Sequence, residues 1–436
     1  MSAPLVLKSP VAEASSGPDP AVSQRVSEML LRIERDGLDA VRAYSRELDG
    51  GWDPATGFEV GADDVAAASA SLSDALKESI AFAQTQIRGF AELQRATLTD
   101  FEAETLPGVF LGQKQVPVAS VGAYCPSGRV PMLACAFMTI LVPKVAGVEQ
   151  VIACTPPRGG AGVHAPTLHA IATSGADRIF ALGGVQALAA MAFGLLDGVD
   201  QPVDVLVGPG NAFVAEAKRQ LFGRVGIDLL AGPSEVCVIA DETADAELVA
   251  ADLLAQAEHG PSSPAVLITT SEDFGRAVIQ EVEAQLGALA AGGADDTSRR
   301  AWDDHGVVMV AASREHAVTL SDEVATEHLE VQTADDAWYF ARLRNYGSIF
   351  LGGRATVAFS DKAIGTNHTL PTGRAARYTG GLSVAKFLKT LTYQRIDTDE
   401  GVLAVAPHVA EIARADLMPA HEATATKRLA RLGATR

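Results

Sequence analysis

Val203-Asp-Val-Leu-Val-Gly-Pro-Gly-Asn-Ala-Phe213 decides the fold class of this chain. A short β-branched run, 203–207, enters the turn Gly208-Pro209-Gly210, and Asn211 then opens a helical stretch, 212–221. Strand, glycine turn and helix in immediate succession form the repeating unit of an open parallel sheet. In such a sheet ligands bind at the carboxyl ends of the strands, and the turn's backbone amides can approach a pyrophosphate. The dinucleotide fingerprint is not met: Gly208 and Gly210 supply GxG, but Phe213 stands where the third glycine belongs.

The same alternation continues on both sides. Upstream, strands are expected at 118–124, 150–155 and 178–182, with helices at 132–146, 164–173 and 186–195. Downstream, strands at 235–240, 265–269, 307–311, 329–332 and 348–351 alternate with helices at 245–259, 272–286, 314–327 and 335–344. The fold class is therefore α/β, with two consecutive parallel, right-handed halves but no residue-level repeat between them. Residues 19–94 carry helical periodicity (Val22, Val26, Met29, Leu30, Ile33), and beyond Arg374 a helical tail is expected.

A chain of 436 residues exceeds what one hydrophobic core usually serves, so more than one domain is expected. The net charge of −19 disfavours nucleic acid and anionic membrane as partners, because no cationic excess exists to displace phosphate counterions. No charged leader followed by a long apolar segment is present, and no run spans a bilayer, so a cytoplasmic location is expected. Cys125, Cys135, Cys154 and Cys237 form no CxxC pair and read as buried small hydrophobes.

Four stretches carry candidate chemistry. Gln256 and His259 stand three apart at the end of the 245–259 helix, which Gly260-Pro261 closes; together they can hold a metal or a polar substrate, while a lone His there is equally a partner of the helix dipole. Glu327 and His328 lie at a helix-to-strand junction, where adjacent side chains can enter one cleft and act as water-activating carboxylate and proton acceptor. Asp361 and His368 belong to a polar Gly- and Thr-rich run read as a long loop. His421 sits in the tail, where a surface role is the plain alternative. Tyr124, Gln186 and Asn211 occupy equivalent strand ends, in the glycine-bearing turns 122–128, 183–186 and 208–211.

The runs Val118-Ala-Ser-Val-Gly-Ala-Tyr124, Val207-Gly-Pro-Gly-Asn-Ala-Phe213, Ala231-Gly-Pro-Ser-Glu-Val236, Gln256-Ala-Glu-His-Gly260, Glu327-His-Leu-Glu330 and Gly365-Thr-Asn-His-Thr-Leu-Pro371 occur in the order in which they occur in histidinol dehydrogenases. The chain resembles that family over nearly its whole length. The resemblance implies two incomplete Rossmann-like domains with a helical N-terminal region and a helical C-terminal arm. It also implies one zinc per subunit, NAD as oxidant, and a homodimer whose active site is shared between subunits. The reaction it implies oxidises a primary alcohol through an aldehyde to a carboxylate with two NAD. By the same resemblance Gln256, His259, Asp361 and His421 are zinc ligands, His421 coming from the neighbouring copy. Glu327 and His328 are the proton-transfer pair, Tyr124, Gln186 and Asn211 contact NAD, and Ser234 contacts substrate together with the metal ligands and His328. The implied domains are an N-terminal arm (1–26), a first α/β domain (27–117 and 235–375), an NAD-binding α/β domain (118–234) and a C-terminal arm serving the dimer (376–436).

One departure bears on the substrate. The family's substrate-contacting Glu, five residues before the C-terminal His, is here Asp416, a shorter carboxylate. The segments 125–132, 369–381 and 386–390 are more similar to the sulfopropanediol dehydrogenase branch, for which Arg374, Arg377 and Lys386 could offer charge to a sulfonate, a solvated basic surface being the plain alternative for each. Oxidation of 2,3-dihydroxypropane-1-sulfonate to sulfolactate is thus expected ahead of L-histidinol to L-histidine. A zinc hydrolase and a non-catalytic metal-dependent binding protein are the competing classes.

Overall fold

The computed structural model describes residues 3–11, 19–50, 57–127, 131–159, 162–199, 201–230 and 232–434. Gly128 of the 122–128 turn, Gly128 to Val130 of the 125–132 segment, and Ala231 lie outside the described residues. The chain divides into two compact units: Met1–Leu93 with Val118–Phe387, and Gln94–Pro117 with Leu388–Arg436.

In chain order, β1 (Leu5–Lys8) and the hairpin β2 (Phe101–Leu106) and β3 (Val109–Pro117) precede a first parallel series. That series is β4 (Ser120–Tyr124), β5 (Gln150–Thr155), β6 (Arg178–Ala181), β7 (Val205–Val207) and β8 (Gly226–Ile227). The second series is β9 (Val236–Ala240), β10 (Ala265–Thr269), β11 (Gly306–Val310), β12 (His328–Gln332) and β13 (Ser348–Leu351), followed by β14 (Leu388–Ile396).

In the first unit the sheets are ordered β6-β5-β4-β7-β8 and β1-β11-β10-β9-β12-β13. Each series starts in the centre, adds two strands to one side, then crosses back and adds two to the other, the 3-2-1-4-5 order of a doubly wound sheet. All neighbours are parallel except β1, which runs antiparallel along β11. Helices cover both faces, which is why β4, β5, β9 and β10 read as unbroken apolar runs rather than alternating ones. The helical N-terminal region packs on the first sheet: Asp19 caps the helix Pro20–Asp36, whose Val26, Met29, Leu30 and Ile33 join Leu188, Met191 and Leu206 in one core. Cores on the two faces of the second sheet are built around Leu253, Leu267 and Trp302 on one side, and Ile268, Leu329 and Val331 on the other.

Several expected boundaries move. The 132–146 helix is interrupted by a π-helical stretch, Phe137–Leu141, because Pro143 has no N–H for the carbonyl of Thr139 and its ring would strike it. The helix expected over 314–327 stops at Val324, where Ala325 takes φ +50°, so Glu327 lies in the junction and His328 begins β12. Asp361 is not in a loop: it lies in the helix Val357–Lys362, capped by Thr356.

In the second unit β14 pairs antiparallel with β3 along its whole length, and β2 pairs with the other edge of β3. The tail is therefore not wholly helical. It begins with a strand whose partner lies some 270 residues earlier, beyond the reach of local periodicity. Two helices follow, Asp399–Ala415 and Pro419–Arg431, packed through Ala406, Ala410, Ala425 and Leu429. Among the described residues no helix is long and apolar enough to cross a membrane.

Candidate active site

The second sheet assembles the chemistry at its amino edge. The helix Ala246–Ala257 leaves the carboxyl end of β9 and runs back, so its last turn returns to the amino ends of the strands. There His328 begins β12 opposite Val236 of β9. The helix Val357–Lys362 returns in the same sense after β13 and carries Asp361. Strand-end reasoning favours carboxyl edges for ligands; this cluster occupies the opposite edge because its ligating side chains come from helix ends.

His259 Nε2 lies 3.4 Å from Asp361 Oδ2, and His328 Nε2 lies 3.8 Å from Asp361 Oδ1. Ser234 Oγ donates to Glu327 Oε2 at 2.6 Å and receives a hydrogen bond from Gln256 Nε2, while the backbone N–H of Glu235 donates to the same Glu327 oxygen at 3.0 Å. His328 Nδ1–H donates to the carbonyl of Glu235 at 3.1 Å. That bond fixes the tautomer and leaves Nε2, buried and without a hydrogen-bond partner, as the basic nitrogen. Gln256, His259, Ser234, Glu327, His328 and Asp361 thus converge. His368 turns away: its Nδ1–H donates to the backbone carbonyl of Asp361 at 3.3 Å, and its Nε2 lies 3.5 Å from Cys135 Sγ, so it buttresses the helix rather than joining the cluster.

Burial works against the charge of Asp361, but the hydrogen bond from His259 and the nearby His368 and His328 hold its carboxyl well below the usual range. Burial likewise opposes a charged His328, yet Glu327 and Asp361 raise it to about 9. Glu235 is pushed up to about 7 by burial and by Glu327, against the N–H groups of Glu327 and Gly373 that its Oε1 accepts.

One layer behind lies a group that sequence reasoning missed. Glu330, fully buried, accepts from the N–H of Val357 at 3.0 Å and from Gln332 Nε2 at 3.0 Å, and it hydrogen-bonds to Asp252. Asp252 in turn accepts from Gln332 at 2.9 Å and from Thr356 Oγ1 at 2.8 Å. Burial and the Asp252 charge lift Glu330 to about 8, so Glu330 keeps its proton at neutral pH. Asp252 stands one helical turn before Gln256, and Glu330 stands two residues after His328 on the same face of β12. Those two periodicities were the available signal.

The donor set suits a divalent cation. Gln256 Oε1 is buried and without a hydrogen-bond partner, beside an imidazole and an ionised carboxylate of the kind that bind zinc. Among the described residues no three His, Cys, Asp or Glu side chains gather as a metal-binding group, so the first unit offers only two such ligands and the amide oxygen. His421 and Asp416 belong to the second unit, where both are exposed and line one surface groove with Val409, Ile412 and Met418.

The turns expected to meet NAD lie at the carboxyl ends of β4, β6 and β7. Tyr124 is buried, and its hydroxyl oxygen accepts from the N–H of Gly184 at 3.1 Å. Gln186 is buried with its Nε2 on Asp49 at 3.2–3.3 Å and its Oε1 without a partner. Asn211 caps the helix Ala212–Leu221 through Oδ1, accepting from Phe213 and Val214. Tyr124 and Asn211 flank the β4/β7 crossing, the switch point where such sheets bind ligands. The four cysteines are buried, and burial pushes each thiol up, so none is a ready nucleophile.

Two 3-2-1-4-5 sheets, with an imidazole–carboxylate cluster on one and glycine turns at the switch point of the other, describe an α/β nucleotide-dependent enzyme. A family model for histidinol dehydrogenase matches residues 13–429, and the chain belongs to that family of NAD-dependent dehydrogenases acting on alcohols and aldehydes. A histidinol dehydrogenase homolog from Shouchella clausii is 50% identical over 94% of this chain and 95% of its own length. The sulfopropanediol 3-dehydrogenase of Ruegeria pomeroyi is 45% identical over 94% and 93% respectively. The crystal structure of histidinol dehydrogenase from Elizabethkingia anophelis superposes with a TM-score of 0.89 at 32% identity, covering 97% of this chain and 95% of that one. Membership of a dehydrogenase family removes the hydrolase and the non-catalytic binding protein as readings.

Proposed function

We propose that this dehydrogenase carries out a four-electron oxidation of a primary alcohol to a carboxylate, with 2,3-dihydroxypropane-1-sulfonate as substrate and sulfolactate as product. The observation that carries the chemistry is the free Nε2 of His328, buried, tautomerically fixed by Glu235, and beside Asp361. In the first half-reaction His328 Nε2 takes the hydroxyl proton as hydride leaves the carbinol carbon for NAD. In the second, Glu327, oriented by Ser234 and the N–H of Glu235, takes a proton from water as that water adds to the aldehyde; a second NAD then accepts hydride. One alcohol, one water and two NAD give one carboxylate, two NADH and three protons.

Gln256, His259 and Asp361, with His421 of a neighbouring copy in a homodimer, would hold zinc, which when bound polarises the substrate oxygen. With Asp361 engaged by a cation, the smaller of the two supports for a charged His328 falls away and that of Glu327 remains, so the alcohol half-reaction gains rate as pH rises towards the value at which Nε2 is free. NAD docks at the turns bearing Tyr124, Gln186 and Asn211 in the 118–234 domain, while the second sheet, within 235–375, holds the substrate, and the 376–436 arm serves the dimer. The sulfonate assignment rests on the segments 125–132, 369–381 and 386–390 and on Asp416 in place of Glu, and the 45% identity to the Ruegeria enzyme supports it. Side-by-side NAD reduction with dihydroxypropanesulfonate and L-histidinol tests it: kcat/KM is higher on the sulfonate, and a preference for L-histidinol reverses the assignment.

A further inference from the structure

Beneath the 208–211 turn lies a buried ion pair that the chemistry above does not use. Lys218, on the helix Ala212–Leu221, contacts the carboxylate of Asp228, just past β8; the two side chains are 2% and 0% exposed. Both reach the same residue. Asp228 Oδ2 accepts from the N–H of Gly208 at 2.8 Å, and Lys218 Nζ donates to the carbonyl of Gly208 at 3.0 Å. Gly208 has φ +124°, and a Cβ there would stand 2.2 Å from the carbonyl oxygen of Tyr124. Its two polar atoms are therefore gripped from one side while its α-carbon is pressed against the end of β4. Asp228 is itself fixed by the N–H of Leu229 at 2.7 Å.

Stability is a poor explanation for such a pair. Taking two charges out of water offsets most of their attraction, and replacing both with apolar groups of similar size is often neutral, whereas removing one is severe. Val214, Ala217 and Leu221 on the helix of Lys218, and Leu206, whose carbonyl accepts from the N–H of Asp228, belong to an apolar core that would accept such a replacement. What the pair supplies instead is orientation of one peptide at the first sheet's switch point. We propose that Lys218 and Asp228 are positioning residues that hold the 208–211 turn in the shape that receives the pyrophosphate of NAD. This rests on the reading that NAD docks at that turn.

The double variant Lys218→Met/Asp228→Leu removes both charges together. Circular dichroism and melting temperature establish that it folds, titration calorimetry with NAD alone reads cofactor affinity, and steady-state kinetics separate KM for NAD from KM for the alcohol. Expected is a folded protein that binds NAD about tenfold more weakly, with KM for the alcohol at saturating NAD unchanged. A merely structural pair, once replaced without loss of stability, would leave NAD affinity at the wild-type value, and that result overturns the proposal. Should this variant fail to fold, Lys218→Met/Asp228→Asn, which keeps an acceptor for the Gly208 N–H but removes both charges and the donor to the Gly208 carbonyl, is measured in its place; weakened NAD binding supports the proposal and wild-type binding overturns it. Asn211→Asp separates the two layers of the argument, because Asp still caps the helix but sets negative charge beside a pyrophosphate. If Asn211→Asp weakens NAD binding while the double variant does not, positioning alone fails. If neither weakens it, the docking reading falls and takes the proposal with it.

Discussion

Replacing Glu330 by Gln tests whether the buried Glu330 beside Asp252 keeps its proton. A carboxyl group at about 8 in the folded protein, against an ordinary value of 4.5, binds its proton more tightly folded than unfolded. Its contribution is therefore fully present below about pH 4.5 and drains away as pH rises towards 8. Within that window the folded protein holds one more proton than the unfolded chain, which corresponds to a loss of about 1.4 kcal/mol per pH unit. Glutamine copies the neutral acid and does not titrate, so the variant escapes the loss; between pH 5.5 and 7.5 it should gain about 3 kcal/mol on the wild type. The Asp252 carboxylate faces Glu330, so the difference between the two curves reports on the pair. Differential scanning calorimetry in the presence of a chelator, at half-unit pH intervals, reads this as a melting-temperature gap that widens with pH. Parallel curves across that range would show that Glu330 is ionised in the folded protein.

His328→Asn should lower the alcohol-oxidation rate by about 100- to 10,000-fold, and Glu327→Gln should slow aldehyde oxidation selectively, as read by single-turnover NADH formation from each substrate. Gln256→Ala and His259→Ala should each weaken zinc binding beyond the roughly 10- to 100-fold that follows loss of an outer partner, measured by competition with a chromogenic chelator. Gly208→Ala should lose about 1–3 kcal/mol from backbone strain alone, and more from the 2.2 Å approach to Tyr124, seen as a lower melting temperature.

Local pattern revealed the α/β class and nearly every strand of the two parallel sheets, because apolar runs bounded by glycine turns report a buried parallel strand without knowledge of its neighbours. It also marked Gln256, His259, Glu327, His328, Asp361, His368 and His421 as candidates, of which the structure brings the first five together and turns His368 away. Pattern was silent on β14, whose exposed alternation has meaning only beside β3, and it misplaced Asp361, which a Thr356-capped helix carries up to Lys362 before the expected loop begins. Tertiary structure alone decided which edge of the second sheet carries the cluster, since that depends on helices returning antiparallel to their strands. It alone revealed the buried Asp252–Glu330 carboxyl pair and the Lys218–Asp228 grip on Gly208. Residue type and spacing announce what a side chain can do; burial and the partner that arrives from elsewhere in the chain set its protonation and its direction.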